Sequence, residues 1–318
     1  MGRLQPDNSD PLPRLVAAGF ADFWNEGMEM IDWQTMSAQQ LEENYNLRVA
    51  VSDAQAAIER LTELSVAARR DLEGASRIDD DLRFGPGPLE TLDLYRPNSE
   101  TRAAPLAVFI HGGYWRALDK IDHVLVVPPL LSCGAIVANV NYDLCPNVTL
   151  DEIASQIVRA VRYCAANAEQ WGADPSRLVL IGHSAGAHLA ARVLNTPADD
   201  DGLPADLVAG VAAISGIYEP QVVTKISVNE QAQISATSAA NNDCLSKPPA
   251  GRAQVVAWVG GDEPAGWKDQ TVRYAAVAAA AGLPARHFVL PGTNHFTVLE
   301  ESMRPGSAGY EALQALLA

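Results

Sequence analysis

Five residues, Gly182-His183-Ser184-Ala185-Gly186, restrict the fold of this chain more than any other segment. They follow the apolar run 177–181 and open the segment 185–194, which reads as a helix. A buried strand that turns directly into a helix leaves little room at the crossing, so small residues must flank the turn. The turn holds its central residue in a strained conformation and lifts the Ser184 hydroxyl clear of the sheet. It also sets the following N–H groups at a helix N-terminus, where negative charge is favoured. The pattern therefore predicts a strand–nucleophile–helix unit.

Beyond residue 90 strands and helices alternate. Apolar runs at 92–95, 105–110, 135–142, 177–181, 207–214, 254–259 and 285–290 read as strands. Several are continuous, as strands covered on both faces are. Segments 150–171, 185–194, 271–281 and 309–317 read as helices, the third closed by Gly282 and Pro284. We expect an α/β fold with a mostly parallel central sheet covered by helices on both faces. Before residue 90 helical signals dominate, at 13–26, 37–45 and 53–72; Ser37 and Gln40 stand at capping-box positions. The turn Gly85-Pro86-Gly87-Pro88 ends this part. The expected organisation is an N-terminal helical extension or cap over 1–88 and a catalytic domain over 89–318, folding as one unit. The polar segment 216–250 breaks the rhythm and is expected to form a lid or inserted loop.

At 318 residues, a globular chain buries roughly three quarters of its unfolded surface, so the core needs no staple. The four cysteines, Cys133, Cys145, Cys164 and Cys244, are scattered, with no C-x-x-C pair and no histidine at ligand spacing. They read as free thiols in a reducing compartment, and no metal site is expected. The formal charge of −16 argues against a nucleic-acid partner and against an anionic membrane surface. Residues 1–11 are polar, Pro6 stands where myristoylation needs Ser or Thr, and no apolar run approaches 18 residues. A cytoplasmic protein is expected, and a homodimer is left open.

The segment His111-Gly112-Gly113-Tyr114-Trp115 ends the strand at 105–110. Acyl transfer needs N–H donors for the oxyanion of its tetrahedral intermediate, and losing one donor costs about 10²–10³ in rate. The N–H groups of Gly113, Tyr114 and Ala185 are the expected oxyanion hole, with His111 bracing the loop beneath it. The general base should be a histidine in a loop after a late strand. Of six histidines, His111 and His183 belong to the two motifs, and His123, His188 and His287 sit in or near regular elements. His295, in Pro291-Gly292-Thr293-Asn294-His295-Phe296, follows the last strand and keeps the order serine, acid, histidine. The acid should follow the strand at 254–259, where Asp262 and Glu263 stand side by side. Either can orient an imidazole, and spacing alone does not separate them.

Together, the two glycine motifs resemble those of the arylformamidase (kynurenine formamidase) group of α/β-hydrolases. That group is similar to the hormone-sensitive-lipase-like esterases, which carry a third glycine where this chain has Tyr114. Further matches are Asn141-Tyr142-Asp143-Leu144 with Pro146, Asn294-His295-Phe296 and Tyr45-Asn46-Leu47-Arg48, so the resemblance runs from about 40 to 300. It implies an α/β-hydrolase fold and, counting back from Trp267 and Gln270, places Glu263 in the acid's position. The implied enzyme is a carboxylesterase or arylformamidase-like serine hydrolase: Ser184 attacks, His295 takes its proton, and Glu263 orients His295. No cofactor or metal is expected. The partner is a small ester or amide, with an aryl formamide as one candidate. Tyr114, Trp115 and Tyr218 either supply an aromatic wall or pack in the core. A lactonase or acyltransferase using the same triad is the alternative; a non-catalytic ligand-binding protein would have lost Ser184 or His295. Trp24, Met28, Met30 and Trp33 either cover the pocket mouth or pack as an ordinary helix.

Overall fold

In the computed structural model, which describes residues 31–196 and 203–318, every apolar run expected to form a strand does so. The helix expected at 13–26, and Trp24, Met28 and Met30, lie outside the described residues. The strands are β1 (Ser76–Arg83), β2 (Thr91–Pro97), β3 (Ala104–Ile110), β4 (Ile136–Val140), β5 (Ala173–His183), β6 (Val208–Ile214), β7 (Gln254–Gly260) and β8 (Ala285–Leu290). They form one eight-stranded sheet in the order β1-β2-β4-β3-β5-β6-β7-β8. β1 and β2 pair antiparallel, as do β2 and β4; every other pairing is parallel. This is the α/β-hydrolase architecture. All of β3 and the end of β5 are buried, which is why their sequences are apolar without alternation.

β1 is a strand that the sequence reading does not contain. It reads Ser-Arg-Ile-Asp-Asp-Asp-Leu-Arg, and its charges suit a sheet edge, where they oppose pairing with another chain. Its ladder is interrupted between Asp79 and Leu82, where Asp81 takes a positive φ. The buried Lys120 ammonium holds this bulge to the sheet, with Asp81 and Asp93 each at 2.7 Å. The sheet thus begins on the N-terminal side of the 88/89 division.

The helices are α1 (Ala38–Tyr45), α2 (Ala54–Leu72), α3 (Leu150–Trp171), α4 (Ala185–Leu194), α5 (Ala265–Ala280) and α6 (Ala308–Leu317), with short helical turns between them. Ser37 and Gln40 form the capping box of α1 as expected. α3 starts at the Thr149 cap and ends at Gly172, whose φ of 91° closes the last turn. α5 begins well before 271, directly after Pro264. Most of its residues are buried, so it lacks the one-sided periodicity that marks a surface helix. The segment 216–250 folds onto the body as the turn Pro220–Lys225 and the short helices Asn229–Ala232 and Ala236–Asn241. Its polar residues bond inward: Asn242 donates to Asp151 at 3.1 Å, and its carbonyl meets His188 Nε2 at 2.7 Å. All four cysteines are free. Among the described residues no helix is long and apolar enough to cross a membrane.

Candidate active site

The parallel strands β3, β5, β7 and β8 release their chains at one edge of the sheet, and the loops there carry every expected catalytic residue. Such carboxyl-end crevices are where open α/β sheets bind ligands. Ser184 sits in the turn between β5 and α4 with φ 57° and ψ −120°, a strained pair for a residue with a side chain. The turn is held by its N–H, which donates to the Ile214 carbonyl at 2.9 Å. Gly186 is required by close approach: a Cβ there would lie 2.0 Å from the Ile110 carbonyl oxygen of β3. Ala185 opens α4, so its N–H has no partner within the helix.

The loop after β3 is also strained. Gly113, Tyr114 and Trp115 have φ values of 114°, 51° and 58°. Side-chain anchors hold it in place. The Tyr114 hydroxyl donates to the Tyr45 carbonyl, and the Tyr142 hydroxyl donates to the His111 carbonyl at 2.9 Å. His111 stacks on Tyr142 with ring centroids 4.2 Å apart and meets Asn141 Oδ1 at 3.1 Å. Burial, the largest influence, pushes its pKa down. The Tyr45-Asn46-Leu47-Arg48 segment therefore acts on the loop directly. Asn46 accepts from the Arg48 N–H at 3.1 Å and donates to Ser227 Oγ at 3.0 Å, tying this segment to 216–250.

His295 Nδ1 lies 2.7 Å from Glu263 Oε2, both residues buried. The other Glu263 oxygen accepts from the Ser215 hydroxyl at 2.5 Å and from the Gly260 N–H at 2.8 Å. Asp262 points to solvent, and only its N–H is engaged, donating to the Thr293 carbonyl at 2.9 Å. The carboxylate beside the imidazole is thus Glu263, not Asp262. Asn294 accepts from the N–H groups of Phe296 and Thr297, each at 3.0 Å, and so fixes the turn that carries His295. Trp267 covers the imidazole at 4.3 Å between ring centroids. His183 Nε2 meets the His295 carbonyl at 2.9 Å and must donate to it, since a carbonyl only accepts. Burial first, then the neighbouring His295, holds the His183 pKa well below the usual range.

Ser184, His295, Gly113 and Tyr114 line one cavity, with about 790 Å³ of empty space counted out to its mouth. Ala185 is fully buried and is not on its wall. Neither Trp115 nor Tyr218 is on its wall. Trp115 is fully buried, edge-on to His188 at 5.0 Å, and Tyr218 stacks on Tyr274 at 4.2 Å. The wall comes instead from Leu47, Ile58 and Leu61 before the sheet, and from Leu118, Val228 and Phe296. Both the N-terminal helices and the segment 216–250 therefore contribute to the cavity wall. Ile58 and Leu61 belong to the apolar face that the sequence shows on α2, but nothing local says what that face meets. Trp33 lies off this wall and donates from Nε1 to Glu219 at 3.2 Å. Among the described residues no three metal-binding side chains cluster.

The chain is similar to known proteins. A family model described as BD-FAE matches residues 92–260. Kynurenine formamidase of Danio rerio is 31% identical over 287 residues, covering 86% of this chain and 94% of that one. The chain belongs to the kynurenine formamidase family of α/β-hydrolases. A candidate thioesterase from Silicibacter sp. tm1040 superposes on this family member with a TM-score of 0.73 at 30% identity, covering 87% of this chain and 98% of that one. The carboxylesterase EstE1, cloned from a metagenomic library, shares the fold with a TM-score of 0.66 at 17% identity, covering 90% and 99% of the two chains.

Proposed function

We propose that this family member is a serine hydrolase that cleaves a small carboxylic ester or aryl formamide through an acyl-enzyme. The observation that carries the reading is the buried Glu263–His295 pair at 2.7 Å, facing the same cavity as Ser184. In this reading the Ser184 oxygen adds to the substrate carbonyl while His295 Nε2 takes its proton. The oxyanion sits among the N–H groups of Gly113, Tyr114 and Ala185, where the start of α4 favours negative charge. His295 returns the proton to the leaving alcohol or amine as the bond breaks, leaving Ser184 acylated. Water, deprotonated by His295, then releases the acid. For a formamide the acyl group is formyl and the product formate. The turn at Leu47–Ala50, α2 and 216–250 serve as the cap, supplying the apolar side of the cavity.

The likeness to a kynurenine formamidase over nearly the whole chain makes an aryl formamide a leading candidate, and the likeness to esterases keeps esters beside it. The test is turnover of N-formylkynurenine and p-nitrophenyl acetate by the wild type and Ser184→Ala. We expect the variant to lose about 10⁴-fold or more on any substrate that the wild type turns over. Activity that survives the substitution would refute the serine mechanism. Ester turnover without formamide cleavage would remove the formamide from the reading.

A further inference from the structure

Tyr114 takes a φ of 51° between Gly113 at 114° and Trp115 at 58°, a left-handed run that suits glycine and strains a residue with a side chain. Its side chain must therefore gain something from its surroundings. The ring is buried, edge-on to Trp267 of α5 at 6.0 Å between ring centroids and to Trp115 at 6.4 Å. The hydroxyl donates to the carbonyl of Tyr45, the last residue of α1. Carbonyls at a helix C-terminus lack an intrahelical partner. The Val49 N–H, four residues on, donates to Asn46 instead at 2.9 Å. Hydroxyl and carbonyl thus complete one another. Burial, the largest influence, pushes the hydroxyl pKa up, so the group stays a donor. Tyr45 is itself held from the far side: its ring packs on Gly266, where a Cβ would lie 2.5 Å from it. Gly266 stands three residues after Glu263, and its neighbour Trp267 covers His295 at 4.3 Å.

We propose that the Tyr114 side chain is a positioning group for the oxyanion hole, bolting the N–H donors of Gly113 and Tyr114 to the end of α1 and the start of α5. The proposal rests on the serine-hydrolase reading. Oxyanion donors are effective when they are already aimed and need no reorganisation as the charge develops. A glycine-rich loop in a strained conformation does not hold that aim unaided, and the hydroxyl at the far end of the Tyr114 ring supplies the fixed point. A loosened loop still admits the neutral substrate, because the donors engage fully only when the oxygen carries charge. Loss of the anchor therefore acts on the transition state and spares ground-state binding. On this account the end of α1 is part of the catalytic apparatus, acting through a main-chain carbonyl that any residue at position 45 would present.

The test uses phenyl trifluoromethyl ketone with the full chain and with Tyr114→Phe, Tyr114→Gly, Gly266→Ala and Ser184→Ala. Ser184 Oγ adds to the ketone carbon, its proton passes to His295, and the ketone oxygen becomes the hemiketal oxyanion. Fluorine NMR across a pH series reads the pH at which that oxygen takes up a proton. Kinetics on p-nitrophenyl acetate or N-formylkynurenine, whichever the wild type turns over, separate kcat from KM. We expect Tyr114→Phe to lower kcat about tenfold with KM within about twofold, to weaken the inhibitor about tenfold, and to raise the hemiketal pKa by about one unit. Tyr114→Gly relieves the strained φ but removes the anchor, and should lose at least as much. Gly266→Ala crowds Tyr45, leaves Tyr114 in place, and should move all three readouts the same way. Tyr114→Phe with wild-type kcat, inhibitor affinity and hemiketal pKa would overturn the proposal. So would a rise in KM that accounts for the whole loss in kcat/KM. Inhibitor bound by Ser184→Ala as tightly as by the wild type would sink the serine reading, and the proposal with it.

Discussion

Replacing Glu263 by glutamine tests the catalytic reading through one proton. In the wild type, Glu263 Oε1 accepts from the Gly260 N–H at 2.8 Å and from the Ser215 hydroxyl at 2.5 Å, while Oε2 faces His295 Nδ1 at 2.7 Å. A peptide N–H can only donate. In Glu263→Gln the amide carbonyl must therefore take the Oε1 place, which turns the NH₂ toward His295. An NH₂ also only donates, so Nδ1 must accept and the imidazole proton moves to Nε2. The base then presents an N–H where the Ser184 proton has to go. The same inversion of tautomer costs serine hydrolases with an aspartate about 10⁴ in kcat, or about 5 kcal/mol of transition-state stabilisation. We expect that loss in kcat/KM for whichever substrate the wild type turns over, measured spectrophotometrically from pH 6 to 10. Because the substitution is isosteric, the melting temperature should move by only a few degrees. Asp262→Asn, at an exposed carboxylate, should change activity by less than about threefold. A Glu263→Gln enzyme within tenfold of wild type, or an equal loss in Asp262→Asn, would refute the reasoning.

Two further outcomes follow from packing and burial. Gly186→Ala would put a Cβ 2.0 Å from the Ile110 carbonyl of β3, so strand and helix must part. Overpacking of this kind costs about 1–3 kcal/mol or more, and the melting temperature should fall by several degrees, together with activity. An unchanged melting curve would count against the packing described at this turn. Burial, as the largest cause, lowers the pKa of His188 to about 4 and of His123 to about 3. The unfolded chain binds these protons below about pH 6.5, while the folded one stays neutral to much lower pH. Their contribution is thus complete above pH 6.5 and is lost toward pH 4 and pH 3, at about 1.4 kcal/mol per unit for each group. Asp269, raised to about 6 chiefly by burial, has the opposite sign: its folded form takes the proton first, and stability gains as pH falls toward 4. Urea titrations at pH 7.5, 6 and 5 should show falling stability, and Asp269→Asn should make the fall steeper. A flat profile in both proteins would contradict the burial assigned to these histidines.

Features whose physics is local were legible in the sequence. The alternation of apolar runs with helical periods marked seven strands of the sheet. The turn around Ser184 was readable because only small residues fit where a buried strand meets a helix, and His295 because few histidines stand in a loop after a late strand. The capping box of Ser37 and Gln40 lies within four successive residues and needs nothing beyond them. Where several elements had to meet, residue type and spacing ran out. β1 was hidden because its apolar signal is diluted by three aspartates, and the start of α5 because a helix buried on most sides shows no period. Trp115 and Tyr218 are aromatic and near the motifs, yet their rings turn to His188 and Tyr274 and away from the cavity.

The sequence by itself determined the class of fold, the strand–helix turn that carries Ser184 and the glycine loop, since each depends on backbone geometry within a few residues. Only the tertiary structure decided that Glu263, not its neighbour, meets His295, because the choice depends on Gly260 and Ser215 arriving on one side of that carboxylate. It alone decided that Leu47, Ile58 and Val228, from the N-terminal helices and the segment 216–250, share the cavity wall. Those residues are far apart along the chain, and only long-range packing sets their distance in space.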